Sequence, residues 1–243
     1  MEEIDMKRIL LMILKNIIHV PQMAYRLFRC AANVDKYPEQ ERYDMLREIC
    51  FKANKGGNVK IVATGVENLP KENGFMLFPN HQGMYDVLAL LTICEKPLSV
   101  VSKKEVKNIP LLNKIFKCMK ALFIDREDVR QSMQIIMEVS KEVSKGRNYI
   151  IFPEGTRSKN GNCVGEFKGG SFKAATKAKC QIVPVALIDS FKPFDTNSTK
   201  PVTVEIHILP PLLYEEYRNM KTVEIAKEVR NRIVEKIEKS VDN

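Results

Sequence analysis

His81 and Asp86, in the run Asn80-His81-Gln82-Gly83-Met84-Tyr85-Asp86, are the residues of this chain best suited to move a proton. A carboxylate on one imidazole nitrogen fixes the tautomer and leaves the other nitrogen as a base. Five positions apart, the two do not share a face of one regular helix. They converge if His81 precedes the first turn and Asp86 lies within it. The apolar stretch Phe75 to Phe78 before them and the helical pattern Tyr85 to Ile93 after them imply a strand-to-helix turn, where active-site groups are usually mounted. Taken alone, a histidine near an aspartate is better explained by a cap or a core hydrogen bond. Of the other two histidines, His19 falls on a surface stripe and His207 in a strand, and neither is assigned chemistry.

A second group follows the apolar stretch Tyr149 to Phe152, as Pro153-Glu154-Gly155-Thr156-Arg157-Ser158. A glycine, a hydroxyl and an arginine in a turn after a strand bind phosphate through backbone N–H groups and a guanidinium fork. Phe167-Lys168-Gly169-Gly170-Ser171-Phe172 supplies another glycine turn before a helix with free N–H groups at its start. Gly169-Gly170-Ser171-Phe172-Lys173 lacks the last glycine of a nucleophile elbow, and neither a P-loop nor a dinucleotide-binding glycine pattern occurs. Without an obvious nucleophile, His81 has to activate an external hydroxyl.

Four blocks stand in order: Asn80-His81 with Asp86, then Phe123-Ile124-Asp125-Arg126, then Phe152 to Ser158, then Val183-Pro184-Val185-Ala186. In this order and at these spacings they resemble the glycerolipid acyltransferase family, and within it the bacterial 1-acylglycerol-3-phosphate acyltransferases. The likeness covers about Phe75 to Leu187, including Lys103-Lys104-Glu105 and Ile109-Pro110-Leu111. It implies that His81 is a general base and that Asp86 orients it. The hydroxyl acted on is that of lysophosphatidic acid, the donor is acyl-CoA or acyl-carrier protein, and the product is phosphatidic acid. Glu154, Gly155, Thr156 and Arg157 match the block assigned to the acceptor's phosphate, with Arg126 and Lys104 or Lys103 as further anion contacts. Pro184 matches a structural or acyl-side block. No metal or redox cofactor is implied. The second block usually opens with a glycine in this family; here Lys120 or Ala121 stands about there.

The elements that must hold these residues alternate along the chain. Strands are expected over Val59 to Thr64, Phe75 to Phe78, Leu98 to Val101, Leu122 to Ile124, Tyr149 to Phe152, Ile182 to Leu187 and Val202 to Ile208. Helices are expected over Tyr37 to Ala53, Tyr85 to Ile93, Glu127 to Ser144, Phe172 to Lys179 and Thr222 to Lys239. Such alternation implies an α/β fold, a mixed and mainly parallel sheet flanked by helices. Residues 58–243 then form the acyltransferase domain, and 1–57 an N-terminal amphipathic helical segment that docks on the membrane. In that segment Arg8, Lys15, His19, Gln22, Arg26 and Arg29 recur at helical spacing. Its longest apolar run, Ile9 to Leu14, is too short to span a bilayer. An interfacial helix with its arginines toward anionic lipid, and a helix covering the protein's own core, both fit the pattern. Pro21 kinks it or starts a second helix.

With 243 residues, 44% hydrophobic and 28% charged, the chain is a globular protein that folds without staples. Its six cysteines show no paired spacing, as for scattered thiols in a reducing compartment. Glu2, Glu3 and Asp5 precede the apolar stretch, unlike a signal peptide, which suggests the cytoplasmic face of the membrane, peripheral or monotopic. The net charge of +9 is concentrated in Lys103 to Lys120, with six lysines against Glu105, and in Arg157 to Lys179, with six basic residues against Glu166. A basic surface implies anionic partners: a phosphate-bearing substrate, an anionic membrane surface, possible acyl-carrier protein. Nucleic acid fits least, since aromatics are 7% with no tryptophan and no binding motif occurs. Rival readings are another acceptor, such as glycerol 3-phosphate or another lyso-lipid, and a noncatalytic module for anionic membranes.

Overall fold

The computed structural model describes residues 6–125 and 128–241. Seven strands form one sheet: β1 (Val59–Thr64), β2 (Met76–Pro79), β3 (Leu98–Lys103), β4 (Leu122–Ile124), β5 (Asn148–Ile150), β6 (Ile182–Ile188) and β7 (Val202–Ile208). Their order across the sheet is β1-β7-β6-β2-β5-β3-β4. Every neighbouring pair is parallel except β6 with β7. The expected mixed, mainly parallel α/β sheet is therefore present, with strand ends shifted by a residue or two.

β2 and β6 lie at the centre and are buried along their whole length. That is why both read as unbroken apolar runs and not as alternating ones. The two-residue side-chain period sorts their residues to opposite faces. Leu77, Val183, Val185 and Leu187 join the core under helices α1 (Met6–Lys15), α2 (Val20–Ala32), α3 (Glu39–Gly56), α4 (Asp86–Ile93) and α5 (Pro110–Cys118). Met76, Phe78, Ile182 and Ala186 face the second core, under α6 (Val129–Val143), α7 (Lys173–Ala178) and α10 (Thr222–Val241). Two short helices, α8 (Lys192–Asp195) and α9 (Tyr214–Tyr217), complete the fold.

α5 has no counterpart in the helices expected from the sequence. Pro110 stands at its first position, where a missing N–H costs nothing. Pro21 likewise falls in the first turn of α2 and starts a second helix.

The basic stripe of the first two helices divides: Arg8 turns into the core, while Lys15, His19, Gln22, Arg26 and Arg29 stay exposed. Arg8 is 1% exposed, donating from Nη1 to the Gly57 carbonyl at 2.6 Å and from Nη2 to that of Lys200 at 2.9 Å. Lys15 donates to Asn58, and Arg26 pairs with Glu48 at 2.6 Å. Met12, Leu27 and Cys30 belong to the same core as the strands. The exposed surface of these helices also carries large apolar side chains: Leu10, Leu14, Ile17, Ile18, Tyr25 and Phe28. Arg8 alone departs from the expected lipid-facing position, because backbone carbonyls at the end of α3 and before β7 claim its guanidinium. Among the described residues no helix is long and apolar enough to cross a membrane.

Candidate active site

β2, β3, β4, β5 and β6 run in one direction, so their carboxyl ends lie along one edge of the sheet. Loops leaving those ends meet outside that edge, the usual place for a ligand in an open α/β sheet. His81 follows β2, Lys103 ends β3, Glu154 to Arg157 follow β5, and Ser190 follows β6. This parallel arrangement brings together residues far apart in sequence.

Asp86 opens α4 and His81 lies in the turn before it. The His81 Nδ1 is 2.7 Å from Asp86 Oδ2. Asp86 is fully buried and accepts further bonds from the N–H groups of Gln82 at 2.7 Å and Gly83 at 3.1 Å, and from the Ser190 hydroxyl at 2.5 Å. These donors replace the water the carboxylate has lost. The imidazole stacks on Phe152, with ring centroids 4.1 Å apart. Its Nε2 has no protein partner among the described residues, and His81 lines a cleft of about 570 Å³. Among the described residues no serine or cysteine is hydrogen-bonded to this imidazole, which leaves the base to a hydroxyl from outside.

The cleft has both cationic and apolar lining. Thr156, Arg157, Lys159 and Lys168 line it with His81, and Lys103 joins them from the end of β3. Leu112 and Phe116 of α5 and Ile135 and Ile136 of α6 line it as well. Gly155 has φ +72°, a conformation that favours glycine. Lys168 Nζ lies 3.3 Å from where a Cβ on Gly155 would stand, so the ammonium sits over this turn. The sequence reading noted Lys168 only as part of a glycine turn. Its signal is the position of that turn, whose Lys168 N–H donates to the Pro153 carbonyl at 2.9 Å. Arg157 faces Asp195, with Nη1 3.9 Å from Oδ1.

Two expected phosphate contacts, Glu154 and Lys104, are placed differently. Glu154 is buried, and its carboxylate accepts the N–H of His81 at 2.8 Å and of Gly165 at 2.9 Å. A carboxylate so occupied offers a phosphate no donor and repels it; Glu154 braces the His81 turn instead. Burial pushes its pKa above the usual carboxylate value, and the two N–H bonds oppose that. Lys104 Nζ is 2.6 Å from Asp125 Oδ2, outside the cleft lining that contains Lys103. Arg126 lies outside the described residues.

Comparison with known proteins identifies the family. The family model described as Acyltransferase matches residues 60–188. The chain is 31% identical over 185 residues to the 1-acyl-sn-glycerol-3-phosphate acyltransferase of Borreliella burgdorferi, covering 74% of this chain and 72% of that one. It is 32% identical over 159 residues to the enzyme of the same name from Escherichia coli, covering 65% of this chain and 64%, just under two thirds, of that one. The crystal structure of the 1-acyl-sn-glycerophosphate (LPA) acyltransferase PlsC from Thermotoga maritima has the same fold, with a TM-score of 0.76 at 22% identity over 98% of this chain and 97% of that one. The family match runs from β1 to the end of β6 and so takes in every strand whose end feeds the cleft; the chain belongs to the Acyltransferase family.

Proposed function

We propose that this protein transfers a fatty acyl group from a thioester, acyl-CoA or acyl-carrier protein, to the free hydroxyl of lysophosphatidic acid, forming phosphatidic acid. One observation carries the reading. An Asp86-held His81, whose Nε2 has no partner among the described residues, lines a cleft that is also lined by cations and by apolar side chains. That cleft suits a substrate with a phosphate, a hydroxyl and an alkyl chain. The relatives named as 1-acyl-sn-glycerol-3-phosphate acyltransferases support this acceptor.

In the mechanism, the acceptor hydroxyl loses its proton to His81 Nε2 as its oxygen attacks the thioester carbonyl carbon. The C–O bond forms, the C–S bond breaks, and the imidazolium returns its proton to the departing thiolate. Asp86 holds the tautomer with Nδ1–H and steadies the imidazolium. Gly155, Thr156, Arg157, Lys168 and Lys103 hold the phosphate. No metal or redox cofactor enters this scheme. The exposed apolar side chains of α1 and α2 support docking at the cytoplasmic membrane surface, where the acceptor resides.

General-base transfer contributes roughly 10²–10⁴-fold, so His81→Ala is expected to lower turnover by that order in a folded protein, and Asp86→Asn by less. Acyl transfer from both donor types to a panel of lyso-acceptors tests the assignment. Wild-type turnover in folded His81→Ala, or equal use of acceptors without phosphate, would overturn it.

A further inference from the structure

Ser190 lies two residues beyond the end of β6, directly after Asp189, whose φ is +61°. It is fully buried. Its hydroxyl is 2.5 Å from Asp86 Oδ1 and 3.0 Å from Gln82 Oε1, and it has one proton to give. Gln82 Oε1 already accepts the Ser190 N–H at 2.8 Å, while Gln82 Nε2 donates to Asn162 Oδ1 at 2.8 Å. These two bonds fix the amide with its oxygen toward Ser190. The shorter, charge-assisted contact takes the hydroxyl proton, which goes to Asp86.

The two oxygens of Asp86 are thus divided. Oδ2 meets His81 Nδ1 and the Gln82 N–H, while Oδ1 has the Ser190 hydroxyl and a 3.1 Å share of the Gly83 N–H. Without the hydroxyl, little holds Oδ1, and the carboxylate is free to turn about its Cβ–Cγ bond and draw Oδ2 off the imidazole.

We infer that Ser190 is a positioning residue of the proton-transfer site. It anchors Oδ1 of Asp86 from the β6 loop and thereby fixes the plane in which Oδ2 meets His81. The inference rests on His81 as the base. Gln82 and Asn162 extend the support to the loop after the cationic turn, since Asn162 also donates to Asp189 at 3.1 Å.

The test uses the full chain with Ser190→Ala, Ser190→Thr and His81→Ala. Losing a charge-assisted bond in the site is expected to lower kcat about tenfold or more in Ser190→Ala, with KM for both substrates little changed; the melting temperature falls as well, because a buried carboxylate oxygen loses its donor. Ser190→Thr keeps the hydroxyl and is expected to recover most of the loss. In ¹⁵N-histidine-labelled protein, where His81→Ala assigns one of three histidines, the His81 Nδ1–H resonance is expected to move in Ser190→Ala and return in Ser190→Thr. A wild-type kcat and an unmoved resonance in Ser190→Ala would overturn the inference. So would a kcat loss that folded Ser190→Thr does not recover. If Ser190→Ala does not fold, Ser190→Cys replaces it, since a thiol is a weak donor; an unimpaired kcat there also overturns the inference. Turnover retained by His81→Ala would refute the base assignment instead, and the resonance, which needs no turnover, still decides the Ser190 contact.

Discussion

Glu154 accepts the backbone N–H of His81 at 2.8 Å, and Ser158, four residues on, donates its N–H to the His81 carbonyl at 2.8 Å. The turn after β5 therefore grips the base's main chain on both sides. Glu154→Gln replaces one acceptor oxygen by an amide nitrogen, so one of its two bonds, to His81 or to Gly165, is lost. The expected result is a kcat about tenfold lower with the acceptor KM unchanged, since one buried bond is worth about 1–3 kcal/mol. Steady-state kinetics on folded protein checks this. A shift in acceptor KM at constant kcat would instead mark Glu154 as a phosphate-side residue.

Arg157 and Lys168 are expected to act on binding. Contacts to a phosphate that does not react hold the ground state and the transition state alike, so their loss raises KM more than it lowers kcat. Arg157→Ala is expected to raise the acceptor KM roughly tenfold or more, and Lys168→Ala by less because its side chain is exposed. The donor KM should hardly move in either. Equal effects on both substrates would place these cations at the donor.

The strands were legible in the sequence because β2 and β6, buried on both faces, leave continuous apolar runs such as Ile182 to Ile188. The pairing of His81 with Asp86 was legible because the break between strand and helix falls between them. What a local pattern does not contain is which strand ends share an edge. Ser190, Lys168 and the inward turn of Glu154 depend on that sheet order. The same limit hid Arg8, whose carbonyl partners are 49 and 192 positions away. Lys120 has φ +48°, so the turn from α5 into β4 holds a lysine in a left-handed backbone conformation that favours glycine. Its ion pair with Asp35 at 2.6 Å is exposed and offsets little of that cost.

His207 links β7 to β1, with Nδ1 2.7 Å from the Thr64 hydroxyl and Nε2 3.2 Å from Glu205. Burial lowers its pKa below 6.5, Lys236 adds to this, and Glu205 opposes it. The folded state thus prefers the neutral ring, and the unfolded chain binds the proton more readily. Stability from this residue is present above pH about 6.5 and is lost as pH falls from there through the folded value. Denaturant melts of wild type and His207→Gln should diverge in slope against pH below about 6.5 and run parallel above it. Parallel slopes throughout would exclude His207 as a source of acid sensitivity.

The N-terminal helices present basic and apolar side chains outward together. A basic stripe facing lipid makes vesicle binding fall with added salt. Arg8 is held by two backbone carbonyls and adds nothing to that attraction, while the outward residues include Lys15, Arg26 and Arg29 beside Leu14 at 64% and Ile18 at 86% exposure. Insertion of such apolar side chains contributes on the order of 1–2 kcal/mol each and is not screened by salt. Leu14→Glu with Ile18→Glu is therefore expected to abolish sedimentation with vesicles and lower turnover on vesicle-borne acceptor, while a short-chain soluble acceptor is still used. Arg8→Ala should instead lower the melting temperature, because it strands buried carbonyls and leaves a gap beside α3. Deleting residues 1–30 confounds the two effects, since Met12, Leu27 and Cys30 are part of the core. Wild-type vesicle binding by a folded double glutamate variant would show that these apolar side chains do not meet the membrane.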